Sequence, residues 1–260
     1  MRTGAGGDRA PVNWPAVALI GLGVGFLSGL FGKGGSAVAT PLLHAVGVPA
    51  LVAVAAPLPA TIPSTLAATA AYWRERLVDR RVLAWSMGVG VPATAAGALA
   101  TKWVGGDALI TATDVVVAVL GVRFLVFPGD ASDGGDRPPA MGARLVGVGL
   151  VVGFTSGLLA NSGGFLLAPL YLAVLRMPVK PAFATSLAVA TVLAVPGTIV
   201  HAALGHIDWS VVAVFAATSV PLSYLGARVA LRTDATRLER AYGAALTVLG
   251  LALLAVRFTS

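Results

Sequence analysis

The chain has 260 residues, 57% of them hydrophobic and only 11% charged, with a mean hydropathy of +0.87. A soluble domain carries about 25% charged residues, so lipid is the natural solvent here and the backbone is expected to be helical. The formal charge of +7 lies in short loops, not in a basic stripe with interleaved aromatics, so nucleic acid is excluded as a partner, and the lack of cysteine excludes disulfides and thiolate metal sites.

Residues 1–14 read as an N-terminal tail. Arg2 and Arg9 before an apolar run resemble a cleavable leader, but the apolar character continues past any plausible cleavage point. Segment one, about 15–46, is long for one crossing and is broken at Gly32–Ser36, which predicts a helical hairpin or re-entrant pair. Segments at about 48–73, 82–101 and 108–127 each fit one crossing. The runs are too long and too continuous for the alternating strands of a membrane β-barrel. Residues 128–143 form a polar linker rich in Gly, Asp and Pro. Four segments follow at about 144–175, 178–204, 209–229 and 239–257.

The second series copies the first. Gly25-Phe26-Leu27-Ser28-Gly29-Leu30-Phe31-Gly32-Lys33-Gly34-Gly35 leads to Pro41, and Gly153-Phe154-Thr155-Ser156-Gly157-Leu158 leads through Gly163-Gly164 to Pro169. This motif has an offset of 128, whereas Asp79/Asp208, Pro92/Pro221 and Gly97/Gly226 share an offset of 129. The expected fold class is an all-α polytopic membrane protein of two four-segment repeats, 15–127 and 144–260. The basic loops alternate between the halves. Arg74, Arg76, Arg80 and Arg81 follow segment two in the first half, while Arg228, Arg232, Arg237 and Arg240 follow segment three in the second. If positive loops stay on one side, the repeats are inverted. Eight plain crossings with an imperfect charge bias are the other arrangement.

Glycines that break an apolar helix free backbone amides, and lipid tolerates this only where the loop is buried in protein or lines a cavity. The next half-helix then offers an N-terminus suited to an anion. The candidate substrate-binding residues are Ser28, Gly32, Lys33, Gly34, Gly35, Ser36, Ser156, Asn161, Ser162, Gly163, Gly164, Thr185 and Ser186. Close helix packing through small residues is the competing reading of the glycines and serines. Lys33 either pairs with a bound anion or reaches the interface as segment one ends. Thr61 and Ser64 are further cavity-lining candidates, and Asp114 is either a proton-coupling carboxylate or a solvated end residue. His44, His201 and His206 lie near segment ends without metal-site spacing, and each is expected at a solvated interface. Gly-x-x-Ser-Gly lacks the spacing of a nucleophile motif, and no phosphate loop is present.

With these two motifs, together with Ala184-Thr185-Ser186-Leu187 and the Asp79/Asp208 positions, the chain resembles the TauE/SafE sulfite exporter family, also called TSUP. The resemblance implies a multi-pass inner-membrane permease, not an enzyme, for sulfite, sulfonates or other organosulfur anions. It departs from the family pattern at Lys33, often apolar there, and at Ala160-Asn161-Ser162, where Gly-x-Gly is usual. The expected partners are a small anionic substrate and the lipid bilayer, with a homo-oligomer left open; no cofactor or metal is expected. An anion channel with the same site, and an accessory protein that moves nothing, are the alternatives.

Overall fold

The computed structural model describes residues 12–32, 36–104, 141–159, 162–238, 240–245 and 248. Among them are nine α-helices: α1 (Trp14–Phe31), α2 (Ser36–Ala45), α3 (Ala50–Ala55), α4 (Pro57–Arg74), α5 (Arg80–Ala100), α6 (Met141–Leu158), α7 (Gly164–Ala173), α8 (Val179–Ala203) and α9 (Trp209–Arg232). A 3₁₀ turn, Thr101–Trp103, extends α5, and residues 235–238 and 240–245 are also helical. The described residues contain six stretches long and apolar enough to cross a membrane: α1, α3 with α4, α5 with its 3₁₀ turn, α6, α8 and α9. The expected segment at 108–127 lies outside the described residues, and so does most of the one at 239–257.

Local chemistry sets the ends of these helices. Asn13 accepts a hydrogen bond from Ala16 N at 3.1 Å and starts α1. Pro57 opens α4, where its missing N–H costs nothing and separates α4 from the short α3. Asp79 and Asp208 do the same job on α5 and α9. Asp79 Oδ1 accepts from Arg81 N at 2.9 Å and Val82 N at 3.1 Å, and Asp208 Oδ1 from Ser210 N at 2.9 Å and Val211 N at 3.3 Å. The two aligned aspartates are therefore N-caps. Segment one is split as expected: α1 stops at Gly32, and α2 has ten residues, about 15 Å of helix, half a bilayer core. Its counterpart α7 also has ten residues, and Pro41 and Pro169 sit inside the two short helices.

The longest interfaces join helices far apart in sequence: α1 lies along α9, and α5 along α6. Both are glycine seams. A Cβ on Gly25 would overlap Ser219, one on Gly29 the Ser223 carbonyl, and one on Gly226 the Phe26 carbonyl. In the other pair, a Cβ on Gly153 would overlap Gly90, one on Gly157 the Thr94 carbonyl, and one on Gly97 the Phe154 carbonyl. Residue numbers rise together along each seam, so α1 runs parallel to α9 and α5 to α6. Between these pairs, α4 and α8 cross antiparallel. Thr65 Oγ1 lies 2.8 Å from Thr191 Oγ1, and a Cβ on Gly197 would come within 2.9 Å of Leu58. Lipid offers no hydrophobic drive for helix association, so dispersion at such close contacts carries much of it.

Charge and tryptophan mark the two ends. One cavity gathers Arg74, Lys180, Arg228 and Arg232, and its neighbour gathers Arg81 and Arg176, both at the end where α8 begins. Arg144 donates to the Val174 carbonyl at 3.0 Å at that same end. All five tryptophans are exposed: Trp73 and Trp85 toward the arginine-rich end, and Trp14, Trp103 and Trp209 at the other. This is the aromatic belt of a bilayer-spanning protein.

Gly97→Leu should lower the melting temperature in detergent, with a cost of at least about 1–3 kcal/mol from overpacking the α5–α6 seam. Gly88→Ala, in the same helix but with nothing near its Cβ position, should be neutral or stabilise by up to about 1 kcal/mol. Equal losses in both variants would refute the seam.

Candidate functional site

Two helix breaks hold most of the candidate residues. At the first, α1 ends because Gly32 turns left-handed, with φ +64°. A Cβ there would also strike Phe183 in the second turn of α8. Ser186, one turn further along α8, donates its hydroxyl to the Gly32 carbonyl and lies 3.0 Å from the Phe183 carbonyl. Ser28 is buried one turn before the break. Lys33, Gly34 and Gly35 lie outside the described residues, and Ser36 is the first residue of α2.

The second break separates α6 from α7. Gly163 is left-handed, φ +71°, at the N-cap of α7, and its carbonyl accepts from Leu166 N and Leu167 N at 2.9 Å. Ser162, Gly163 and Gly164 are buried. A Cβ on Gly163 would strike Ser156 Oγ and come within 2.7 Å of Val152, so the Ser156 hydroxyl sits directly beside the start of α7. That hydroxyl is fully buried and has no hydrogen-bond partner among the described residues. Asn161 lies outside the described residues.

Thr185 precedes Ser186 in α8 and is also buried. Its hydroxyl accepts from Asp79 N at 2.9 Å and ties the turn before α5 to α8 at the arginine-rich end. Thr61 Oγ1 donates back to the Pro57 carbonyl at 2.9 Å, and Ser64 Oγ pairs with Ser219 Oγ at 2.8 Å. Among the described residues no hydrogen bond joins the two breaks, and α8 contacts both α7 and Gly32.

The helix ends at the breaks need partners for their carbonyls, and the fold supplies them in matched fashion. Tyr72 of α4 donates its hydroxyl to the Gly29 carbonyl at 3.1 Å. His201 of α8 donates from Nε2 to the Gly157 carbonyl at 3.4 Å. Gly29 and Gly157 are equivalent in the duplicated motif, and Tyr72 and His201 are 129 residues apart. His201 is therefore no solvated interface residue, since its ring is 1% exposed. A carbonyl can only accept, so the proton of His201 is on Nε2. Its Nδ1 then accepts from His206 Nδ1, 3.1 Å away. Burial holds His206 below the ordinary histidine range, which suits this neutral pairing. Thr101 Oγ1 donates to the next carbonyl, Leu158, at 3.3 Å. Sequence reasoning missed Tyr72 and Thr101. The offset of 129 linking Tyr72 to His201 was the available signal, because it sets two hydrogen-bonding side chains at one position of two apolar runs.

A ten-residue helix starting inside the protein, next to a buried hydroxyl without a partner among the described residues, is suited to hold a small anion. No described hydrogen bond links Ser156 to a histidine. A model of the family described as "Sulfite exporter TauE/SafE" matches residues 17–253.

The chain belongs to the TauE/SafE family.

A "Probable membrane transporter protein" of Xylella fastidiosa (strain 9a5c) is 28% identical over 87% of this chain and 90% of its own length. The "Probable membrane transporter protein YjnA" of Bacillus subtilis (strain 168) is 26% identical over 92% of this chain and 99% of its own. "Probable membrane transporter protein YunE" of the same strain is 24% identical over 84% and 87%. No solved structure matches the chain. With six described helices long and apolar enough to span, this TauE/SafE protein is a multi-pass membrane transporter.

Gly163→Ala should destabilise the second break by about 1–2 kcal/mol from its left-handed backbone, with a further cost from the overlap with Ser156. Adding Ser156→Ala should recover part of the second cost, measured as a positive coupling in a double-mutant cycle of melting temperatures. Strictly additive losses would mean that the two residues do not touch.

Proposed function

We propose that this TauE/SafE transporter carries a small oxyanion, sulfite or a sulfonate, across the cytoplasmic membrane by alternating access. One observation carries the reading. The start of α7 is a buried helix N-terminus with glycine at its N-cap, and beside it stands the Ser156 hydroxyl, which has no hydrogen-bond partner among the described residues. In a low-dielectric interior those amides and that hydroxyl gain most by binding a negative charge. Ser162 and Asn161 would complete this half of the site. At the first break, Ser28, Gly32, Lys33, Gly34, Gly35, Ser36 and Ser186 would form the equivalent anion-binding turn, with the Lys33 ammonium as counter-charge.

Alternating access draws on the symmetry of the packing. The halves 15–127 and 144–260, joined by the linker 128–143, behave as inverted repeats in this reading. Three relations support it. The α1–α9 and α5–α6 seams use equivalent glycines, both seams are parallel, and the equivalent helices α4 and α8 cross antiparallel. Equivalent helices that oppose each other place the two breaks toward opposite faces. Rocking one half against the other would then expose the site to each side in turn. The arginine-rich end faces the cytoplasm under the positive-inside rule. The choice of sulfur oxyanions rests on the family's description as sulfite exporters.

The test is radiolabelled-sulfite counterflow in proteoliposomes. Labelled sulfite should accumulate against internal unlabelled sulfite, and a sulfonate should compete where a carboxylate does not. Gly163→Val should abolish accumulation and Lys33→Ala should weaken it by about tenfold or more, the scale of one charge-assisted contact. No accumulation by folded wild-type protein would overturn the carrier reading for these anions.

A further inference from the structure

The arginine-rich end holds a cavity of about 530 Å³ where three helix termini meet. Arg74 at the end of α4, Lys180 in the first turn of α8, and Arg228 and Arg232 in the last turns of α9 supply its cationic wall. Glu75 is the one carboxylate in the lining, so cations outnumber it four to one. The hydrogen bonds that these cations make go to neutral groups. Lys180 Nζ donates to the Leu231 carbonyl at 3.0 Å, and Arg228 Nη1 to the Tyr224 hydroxyl at 3.2 Å. The Arg228 guanidinium also stands 5.8 Å from the Tyr224 ring centre.

Three of the charges have local reasons to be there. Lys180 satisfies a carbonyl at the end of α9, and Arg74 and Arg232 complement the negative ends of α4 and α9. With Arg228 they set four like charges around one cavity, and these repel unless an anion sits among them. Guanidinium forks match paired oxygens on a tetrahedral centre. The floor is apolar: Ala71, Leu77 and Leu231 line it, and Leu77, Leu231 and Tyr224 pack onto the cluster of Phe31, Tyr72 and Phe183. The exposed Trp73, next to Arg74, sets the level at the membrane interface.

The geometry points to a second anion site, separate from the helix breaks: a surface cavity that takes a tetrahedral oxyanion on Arg74, Arg228 and Arg232, with Lys180 and Tyr224 at its wall. Two sources have this chemistry, the phosphate of an anionic phospholipid and a free oxyanion from the water. Neither depends on what the transporter carries.

Full-length protein in detergent tests the site with two probes. Phosphatidylglycerol is titrated against phosphatidylcholine in native mass spectrometry, and sulfate or inorganic phosphate against chloride at constant ionic strength in a thermal-shift assay. The variant is Arg228→Gln/Arg232→Gln. The control, Arg81→Gln/Arg176→Gln, removes the same charge from the neighbouring cavity at the same end. Affinity for at least one probe should fall about tenfold in the variant and less than about twofold in the control. A response to phosphatidylglycerol alone identifies the lipid headgroup, and a response to sulfate or phosphate alone identifies the free anion; either supports the site. If the double variant aggregates, the exposed Arg232→Gln alone carries the comparison. Equal losses in variant and control would reduce the effect to overall charge and overturn the proposal. So would the lack of saturable binding of either probe to folded wild type.

Discussion

In hydrocarbon, every backbone N–H and C=O must find its partner inside the protein. A continuous helix meets that demand alone; a broken one cannot. The two breaks after α1 and α6 are therefore the costliest places in this chain, and the surrounding helices are arranged to cover that cost. Ser186 reaches the Gly32 carbonyl, Tyr72 the Gly29 carbonyl, His201 the Gly157 carbonyl and Thr101 the Leu158 carbonyl. These partners serve carbonyls, at the ends of the first helix of each pair. At the second break α7 opens on a left-handed Gly163, whose carbonyl accepts from Leu166 N and Leu167 N at 2.9 Å.

The same demand explains why the breaks sit where helices touch most closely. Reaching across to a neighbour's backbone requires short distances. The glycine seams between α1 and α9 and between α5 and α6 bring backbones into direct contact. Gly29 and Gly157 take part in both tasks: each lacks a Cβ so that the neighbouring helix can approach, and each offers its carbonyl to a side chain of a third helix. Packing and polar satisfaction are thus one design, since loosening a seam would also withdraw the groups that make the break tolerable.

Outside the core, electrostatics acts at the ends. Asp79 and Asp208 cap α5 and α9 at opposite ends of the molecule, while Arg74, Arg81, Arg176, Arg228, Arg232 and Lys180 collect at one end. Caps obey local helix chemistry and so recur in both halves. Basic loops obey the bilayer as a whole and so do not recur at equivalent positions.

Much of this transporter was written in one dimension. Long apolar runs specify helices of bilayer length because lipid permits little else, and the glycines at 32 and 163 specify where two of them stop, because only glycine turns left-handed at no cost. The duplicated motif marked Ser28, Ser156, Gly32 and Gly163 as candidates before any contact was known. Helices that are apolar nearly all round carry no stripe to say which face meets which neighbour. The choice of α9 as partner for α1, the pairing of Tyr72 and His201 with glycine carbonyls, the bond from the Asp79 turn to Thr185 and the burial of His201 were therefore decided only in three dimensions. Each depends on the rotation and register of one helix against another, and many distant side chains set these together.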